Sequence, residues 1–144
     1  MEYNLELLPQ KIQSDSTKQS TVLAVDDNED NLMLLTEVLK VFDCALLTAT
    51  HGQMALVLAQ SCHPDLILLD VMLPDLNGVE VVHYLKENPR TEHIPVIAVT
   101  ALAREEDRDR LLRAGCIDYI SKPYMLEELE ARIRYHLSNV PAAV

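Results

Sequence analysis

The 144-residue chain is poor in the residue types that build disulfide frameworks and aromatic cofactor pockets. Its three cysteines are an odd number, are widely spaced and contain no CxxC pair, which argues against a disulfide framework. We interpret Cys44, Cys62 and Cys116 as small core residues in a reducing compartment. Tryptophan is absent and aromatic residues make up only 4% of the chain, so little is available to stack on a flavin.

Positive charge is also scarce. Twelve Lys and Arg face 23 Asp and Glu, a formal net charge of -11. Such a surface repels phosphate backbones, and because the sequence has no basic patch we expect no direct nucleic-acid binding. No apolar run reaches membrane-spanning length, and the start "MEYNLELLPQ" lacks the features of a signal peptide. The expectation is a cytoplasmic protein without membrane contact.

Apolar residues make up 49% of the chain, enough for one domain with a sizeable core. From Thr21 onward, short β-branched or apolar strands alternate with segments whose apolar residues recur every three or four positions. The predicted strands are "TVLAV", "CALLTA", "DLILL", "PVIAVT" and "CIDYI". We expect a flexible N-terminal extension over residues 1–20, one domain over 21–139 and a short C-terminal tail over 140–144.

Five strand–helix units predict an α/β fold, in which a parallel sheet carries helices on both faces through right-handed crossovers. The expected architecture is a flavodoxin-like, doubly wound (βα)5 sheet of strand order 2-1-3-4-5. Asn28 is the expected cap of the first helix, with Glu29 and Asp30 in its first turn. Residues 50–53, "THGQ", have the form of a capping box for the second helix. Gly115 is the expected C-cap of the fourth helix.

Polar residues follow four of the predicted strands. Asp26 and Asp27 follow the first strand and Asp70 follows the third, while Thr100 ends the fourth and Lys122 follows the fifth. In open α/β sheets the ligand site lies outside the carboxyl ends of the strands, here between the first and third. Three carboxylates in one crevice would repel one another, and a hard cation such as Mg²⁺ would relieve that repulsion. Asp70 has a second candidate role as a nucleophile that forms an acyl phosphate, with Lys122 and Thr100 binding the phosphoryl oxygens.

Each of these residues also has a structural interpretation when it is taken singly. Asp27 suits a turn or helix cap, Thr100 a strand end, and Lys122 before proline a solvated loop. Their joint placement at one edge of the sheet favours the functional interpretation.

The stretches "VLAVDDNEDN", "PDLILLDVMLPDLNGVE", "IPVIAVTA" and "GCIDYISKPY" occur in order at specific spacings. Together they resemble the receiver domain of bacterial two-component response regulators, over about Thr21 to Leu137. The resemblance is to a stand-alone, chemotaxis-receiver-like protein. It implies that Asp70 takes a phosphoryl group from a sensor histidine kinase or a histidine phosphotransfer protein. The protein would then act through contact with a downstream protein target and would be a signalling receiver rather than an enzyme with an external substrate.

The resemblance also assigns the metal site and the switch. Asp27, Asp70 and the backbone carbonyl of Met72 would ligate Mg²⁺, with Mn²⁺ as an alternative, and Asp26 would help through water. Lys122 would pair with the phosphoryl group, and its bond to Pro123 would be cis. Thr100 would move toward the phosphoryl group and Tyr119 would turn inward behind it.

Two further implications concern oligomeric state and lifetime. Asp118 and Arg132 match positions that pair in receivers that dimerise, so the chain is expected to be a monomer or a weak dimer. Asn77 stands where the family more often has Asp, before the usual turn glycine, Gly78. Met72 and Leu102 are apolar where fast-dephosphorylating receivers often carry polar groups, which predicts a long-lived phosphorylated state.

Three rival functions share parts of this pattern. A flavodoxin-like electron carrier would need a hydroxyl- and glycine-rich phosphate loop, where this chain has "DDNED". An aspartate phosphatase usually carries a second Asp two residues after the nucleophile, where this chain has Met72. A receiver-like module that signals without phosphorylation is disfavoured by the presence of Asp70, Thr100 and Lys122, but the sequence leaves it open.

Overall fold

The computed structural model describes residues 19–101 and 104–138. Most of the predicted N-terminal extension, the predicted C-terminal tail and Leu102 lie outside the described residues. No helix within the described ranges is long and apolar enough to cross a membrane. In this described part, five strands alternate with five helices. The strands are β1 (Thr21–Val25), β2 (Ala45–Ala49), β3 (Leu66–Leu69), β4 (Val96–Thr100) and β5 (Asp118–Ser121), and the helices are α1 (Glu29–Lys40), α2 (Gly52–Cys62), α3 (Gly78–Glu87), α4 (Glu105–Ala114) and α5 (Leu126–Ser138).

All five strands pair in parallel, in the order β2-β1-β3-β4-β5, which confirms the predicted topology. Strand order reverses at β1, which lies between β2 and β3. In the register of this sheet Val25 pairs with Leu69. The residues that follow these two strands therefore emerge side by side at the carboxyl edge.

The sheet separates two apolar layers, and β3 is buried on both faces. Ile67 and Leu69 pack into the layer beneath α2, α3 and α4, whereas Leu66 and Leu68 pack into the layer beneath α1 and α5. Burying one such side chain fully contributes about 1.5–3 kcal/mol relative to leaving it exposed. The two layers together hold the carboxyl ends of the strands in a fixed arrangement.

Of the two predicted N-terminal helix caps, the structure confirms the cap of α1 and contradicts the capping box of α2. The Asn28 side chain accepts a 3.0 Å hydrogen bond from the Asn31 N–H, as expected of a cap. The predicted capping box at residues 50–53 is wrong, because the cap of α2 is His51, whose Nδ1 accepts from the Met54 N–H. The first two N–H groups of α2 are taken instead by a carboxylate from another part of the chain, Asp75. A pattern confined to adjacent residues could not show this.

Other boundaries shift by a few residues. The last strand begins at Asp118 rather than at Cys116, while Gly115 ends α4 with φ 128°, as expected of a C-cap. Among the cysteines only Cys116 is a buried core residue, and burial raises its pKa to about 12. Cys44 is half-buried, and the interpretation of Cys62 as a core residue is wrong because its side chain is exposed at the end of α2.

Candidate functional site

Three carboxylates meet at the carboxyl edge of the sheet. Asp26 and Asp27 directly follow β1, and the Asp70 N–H after β3 donates a 2.9 Å hydrogen bond to the Val25 carbonyl. One oxygen from each of Asp26, Asp27 and Asp70 lies within 4.8 Å of the others. Asp26 and Asp70 are buried, whereas Asp27 is exposed. The three carboxylates therefore lie close together, as the sequence predicts.

Asp26 is held by several donors at once. Its Oδ1 accepts from the Asn28 N–H at 2.9 Å, and its Oδ2 accepts from Asn31 Nδ2 at 3.1 Å and from Lys122 Nζ at 2.9 Å. These donors compensate much of the cost of burying a carboxylate. The sequence does not indicate this role for Asn31, because a polar residue in the first turn of a helix is ordinarily solvated.

Lys122 bridges two of the carboxylates. Its Nζ also lies 3.3 Å from Asp70 Oδ2. Burial raises the pKa of the Asp70 carboxyl, and the charge of Asp26 raises it further. The hydrogen bond from the Met72 N–H and the charge of Lys122 lower this pKa, but the net shift is upward. Burial alone would lower the pKa of Lys122, but its hydrogen bonds to Asp26 and Asp70 and their charges raise it above its ordinary value. Lys122 is therefore a fixed cation in an acidic crevice. Its bond to Pro123 is cis, as expected.

The β3–α3 loop (residues 70–77) brings backbone groups to the same place. The Met72 N–H donates a 3.0 Å hydrogen bond to Asp70 Oδ1, while the Met72 side chain is exposed. Met72 also pairs with Asn77 in an isolated antiparallel bridge. Asn77 caps α3, and its capping box with Glu80 shows that Asn serves well at this position. A Cβ at Gly78 would lie 2.6 Å from the Val71 Cα, so the closure of the loop requires glycine there.

The two predicted switch residues lie on neighbouring strands. Thr100 ends β4 with no exposed surface, and its carbonyl accepts a 2.8 Å hydrogen bond from the Lys122 N–H. Tyr119 lies opposite Ala98 in the register of β4 and β5, and it packs against the core. The structure thus places Thr100 next to the crevice and Tyr119 on the adjacent strand.

The remaining two sequence-selected residues pair with each other within the chain. Arg132 Nη1 of α5 donates to Asp118 Oδ1 at 2.7 Å and to the Tyr119 carbonyl at 3.0 Å. The other oxygen of Asp118 lies 2.8 Å from His136 Nε2. Burial works against ionisation of Asp118, but the hydrogen bonds from His136 and the Tyr119 N–H and the charge of Arg132 lower its pKa. This cluster joins α5 to β5, and sequence reasoning did not find His136.

A groove of about 450 Å³ opens beside the carboxylates and is lined by Asp27, Met72 and Asn77 on one side. Asp107 and Arg110 of α4 line the other side. Asp107 is buried, and its carboxylate lies 3.3 Å from Arg104 Nε and 3.5 Å from Arg110 Nη2. The crevice is therefore open to solvent on the side of Asp27.

The donor set fits a hard divalent cation. Three carboxylates, two of them buried, offer oxygen ligands within a few ångströms of one another, and Mg²⁺ prefers oxygen ligands and a small number of carboxylates. A lysine beside the same carboxylates provides a further cation for a negatively charged group. Fold and site together define a class of protein, a doubly wound α/β domain with a cluster of carboxylates and a buried aspartate at its switch point.

Comparison with known proteins identifies the family. The model of the response regulator receiver domain matches residues 22–134, so the chain belongs to that family. The polar-differentiation response regulator DivK of Brucella ovis is 40% identical over 119 residues, which cover 83% of this chain and 97% of DivK. A probable cyclic di-GMP phosphodiesterase of Vibrio cholerae is 37% identical over 121 residues, 84% of this chain and 27% of that protein.

Solved structures agree with the sequence relatives. The receiver domain of a sensor histidine kinase from Pseudomonas aeruginosa PAO1, with a magnesium ion in its active-site cleft, has TM-score 0.77 and 28% identity, and it covers 85% of this chain and 100% of that one. The Francisella response regulator 1452 receiver domain has TM-score 0.79 and 26% identity, with coverage of 85% and 100%. The chain is a phospho-accepting response regulator of two-component signalling. This overturns the flavodoxin-like carrier and the aspartate phosphatase as rival functions.

Proposed function

We propose that Asp70 is the phospho-acceptor and that Asp26, Asp27, Asp70 and the Met72 carbonyl form the metal site, for Mg²⁺ or alternatively Mn²⁺. The observation that carries this is the convergence of the three carboxylates on one point, with Lys122 against two of them. Mg²⁺, when bound, supplies positive charge that offsets the phosphoryl oxygens and the carboxylates.

Asp70 is suited to be the nucleophile because its carboxylate is oriented by the Met72 N–H and by Lys122. One Asp70 oxygen forms a bond to phosphorus while the bond from phosphorus to the donor's imidazole nitrogen breaks. That nitrogen keeps the electron pair, so the donor leaves as a histidine. The chain thereby catalyses its own phosphorylation and, more slowly, its dephosphorylation.

Lys122 and Thr100 would hold the phosphoryl group once it is on Asp70. Lys122 is already beside the acceptor oxygen, and Thr100 ends the strand next to β3. We propose that Thr100 and Tyr119 then carry the change to the surface formed by α4, β5 and α5. The added charge biases a two-state element and a downstream protein reads the result.

The phosphoryl donor is a sensor histidine kinase or a histidine phosphotransfer protein, and we place the protein in the cytoplasm with them. The net charge of -11 supports a protein partner rather than direct nucleic-acid binding. Asp118 and Arg132 form a hydrogen-bonded ion pair with each other within the chain. A dimer on that face would have to exchange this pair, which supports a monomer or a weak dimer.

Incubation with Mg²⁺ and a small acyl phosphate, followed by mass spectrometry of intact protein, tests the proposal. Wild type should gain one phosphoryl group, and both Asp70→Asn and removal of Mg²⁺ by a chelator should abolish the gain. Asp65→Asn is a matched control, because Asp65 lies at the opposite end of β3 and should label normally. Equal labelling of wild type and Asp70→Asn would refute the assignment.

A further inference from the structure

Asp75 connects the β3–α3 loop to the start of a helix far from it in sequence. Its Oδ1 accepts a 2.7 Å hydrogen bond from the Gly52 N–H, and its Oδ2 accepts a 2.9 Å hydrogen bond from the Gln53 N–H. These are the first two N–H groups of α2, which have no partner inside the helix. The loop that carries Asp70 and Met72 is therefore attached to α2 by one side chain.

Side chains of the loop and of α3 also pack directly against the start of α2. A Cβ at Gly52 would lie 2.9 Å from the Leu76 Cβ and 3.1 Å from the Val81 Cγ2. A larger residue at position 52 would therefore require Leu76 or Val81 to move, and Gly52 is buried. The Asp75 side chain is itself exposed, but the two N–H groups that it accepts from belong to a helix start that packs closely against Leu76 and Val81.

The charge on Asp75 strengthens this joint. The hydrogen bonds from Gln53 and Gly52 lower the pKa of the Asp75 carboxyl, so it is ionised at neutral pH. An anion at the N-terminus of a helix is favourable, and hydrogen bonds to an ionised acceptor are stronger than neutral ones. On the helix side, the His51 Nδ1 lies 3.8 Å from Asp75 Oδ2.

Within the loop, Asp75 is connected to Met72, which lies beside Asp70. It lies between Met72 and Asn77, which pair with each other, and the Gly78 N–H donates a 2.7 Å hydrogen bond to the Val71 carbonyl. Because the Met72–Asn77 bridge closes the loop around Asp75, we expect a displacement at Asp75 to reach Met72. The Met72 N–H in turn contacts the Asp70 carboxylate.

We propose that Asp75 is a positioning residue of the phosphorylation centre, which anchors the β3–α3 loop on α2 and so holds the Met72 carbonyl where the metal site requires it. This inference rests on the proposed function. By thermodynamic reciprocity, occupation of the metal site tightens the attachment of the loop to α2. The start of α2 becomes a second region, outside α4, β5 and α5, that responds to the state of the centre.

A purely structural cap and a positioning residue differ in one measurable quantity. A cap stabilises the fold by the same amount with and without metal, so its loss leaves the dissociation constant of Mg²⁺ unchanged. A positioning residue changes that constant, because part of the binding free energy must then be spent on ordering the loop. Residues behind metal ligands typically alter metal affinity by about tenfold or more.

The experiment is a Mg²⁺ titration followed by NMR, without any phosphodonor, on wild type, Asp75→Ala and Asp75→Asn. Asp65→Ala is the matched control, since the Asp65 carboxylate also accepts a backbone N–H, from Thr21 at 2.8 Å, but at the far edge of the sheet. We expect the Mg²⁺ dissociation constant of Asp75→Ala to rise about tenfold, that of Asp75→Asn to rise less, and that of Asp65→Ala to stay within about twofold of wild type.

Equal Mg²⁺ affinity in wild type and Asp75→Ala overturns the inference. If Asp75→Ala does not fold, Asp75→Asn decides by the same criterion. If neither variant folds, the hydrogen-exchange rates of the Gly52 and Gln53 amides are measured in wild type with and without Mg²⁺. Mg²⁺ should slow the exchange of both amides, and an unchanged rate overturns the proposal. Failure of wild type itself to bind Mg²⁺ would instead overturn the proposed metal site, so the two failures are distinguishable.

Discussion

Lys122 and Asp26 are 96 residues apart in sequence, and the Lys122 Nζ lies 2.9 Å from the Asp26 Oδ2. The same nitrogen reaches Asp70 Oδ2 at 3.3 Å. Only 5% and 9% of the two carboxylate side chains and 22% of the lysine side chain are exposed. The crevice thus contains a built-in cation that offsets part of the repulsion among its carboxylates.

Replacing Lys122 by Met should destabilise the protein in the absence of divalent metal. Removing one partner leaves buried carboxylates less compensated, at a cost of about 1–3 kcal/mol in the free energy of unfolding. Saturating Mg²⁺ should restore part of this loss, because it stabilises the folded state in proportion to its binding. Urea unfolding with and without Mg²⁺ measures both effects. An unchanged midpoint for Lys122→Met without metal would contradict the expectation.

Asp27→Asn should have the opposite effect on metal-free stability. It removes one of three like charges from the cluster, and since Asp27 is exposed little packing is lost. We expect the melting temperature without metal to rise by about 2–4 °C and the further rise on adding Mg²⁺ to shrink. Asp30→Asn, which alters an acidic residue in the first turn of α1, is the control and should not raise it. A lower melting temperature for Asp27→Asn would show that repulsion does not dominate.

The Asp118 cluster predicts a specific loss of stability in acid. The folded-state pKa of Asp118 lies below its ordinary value, so its contribution is present above about pH 4 and is lost as the pH falls through the folded-state pKa. Asp118→Asn should lower the free energy of unfolding at pH 7 by about 1 kcal/mol, after allowance for solvent screening. As the pH falls, the free energy of unfolding of this variant should decrease less steeply than that of wild type.

Chemical unfolding of wild type and Asp118→Asn between pH 7 and pH 2.5 measures this difference. The two curves should converge at the acidic end. Asp109→Asn, at an exposed position on α4, is the control and should run parallel to wild type. A constant difference at every pH would exclude titration of Asp118 as the cause.

Met72 provides a test of the predicted lifetime of the phosphorylated state. Its exposed apolar side chain borders the groove beside Asp27 and offers no group to orient an attacking water. The phosphorylated wild type should therefore keep its label well beyond seconds in Mg²⁺ buffer, and Met72→Asn should shorten the lifetime several-fold. Met54→Asn, an exposed methionine on α2, is the control. Loss of the wild-type label within seconds would refute the prediction.

Much of the site could be predicted from the sequence because its residues directly follow strands. Apolar periodicity records which segments are buried, and the topology of a parallel sheet then brings Asp26, Asp27 and Asp70 to one edge. Lys122 and Thr100 were found by the same argument, and the structure places them at that edge. Apolar periodicity does not record how each of these side chains is oriented.

What the sequence by itself determined was the alternation of strands and helices, the strand order and the residues at the carboxyl edge. Only the tertiary structure decided that Asp75 takes the place of the predicted capping box on α2, that Asn31 holds Asp26, and that His136 shares Asp118 with Arg132. It likewise decided that Cys62 is exposed while Cys116 is in the core. The physical reason is that helix and strand periodicity is a local property, whereas these contacts depend on how packed elements bring distant hydrogen-bonding groups together. The sequence around a single polar residue does not show which distant group it will form a hydrogen bond with.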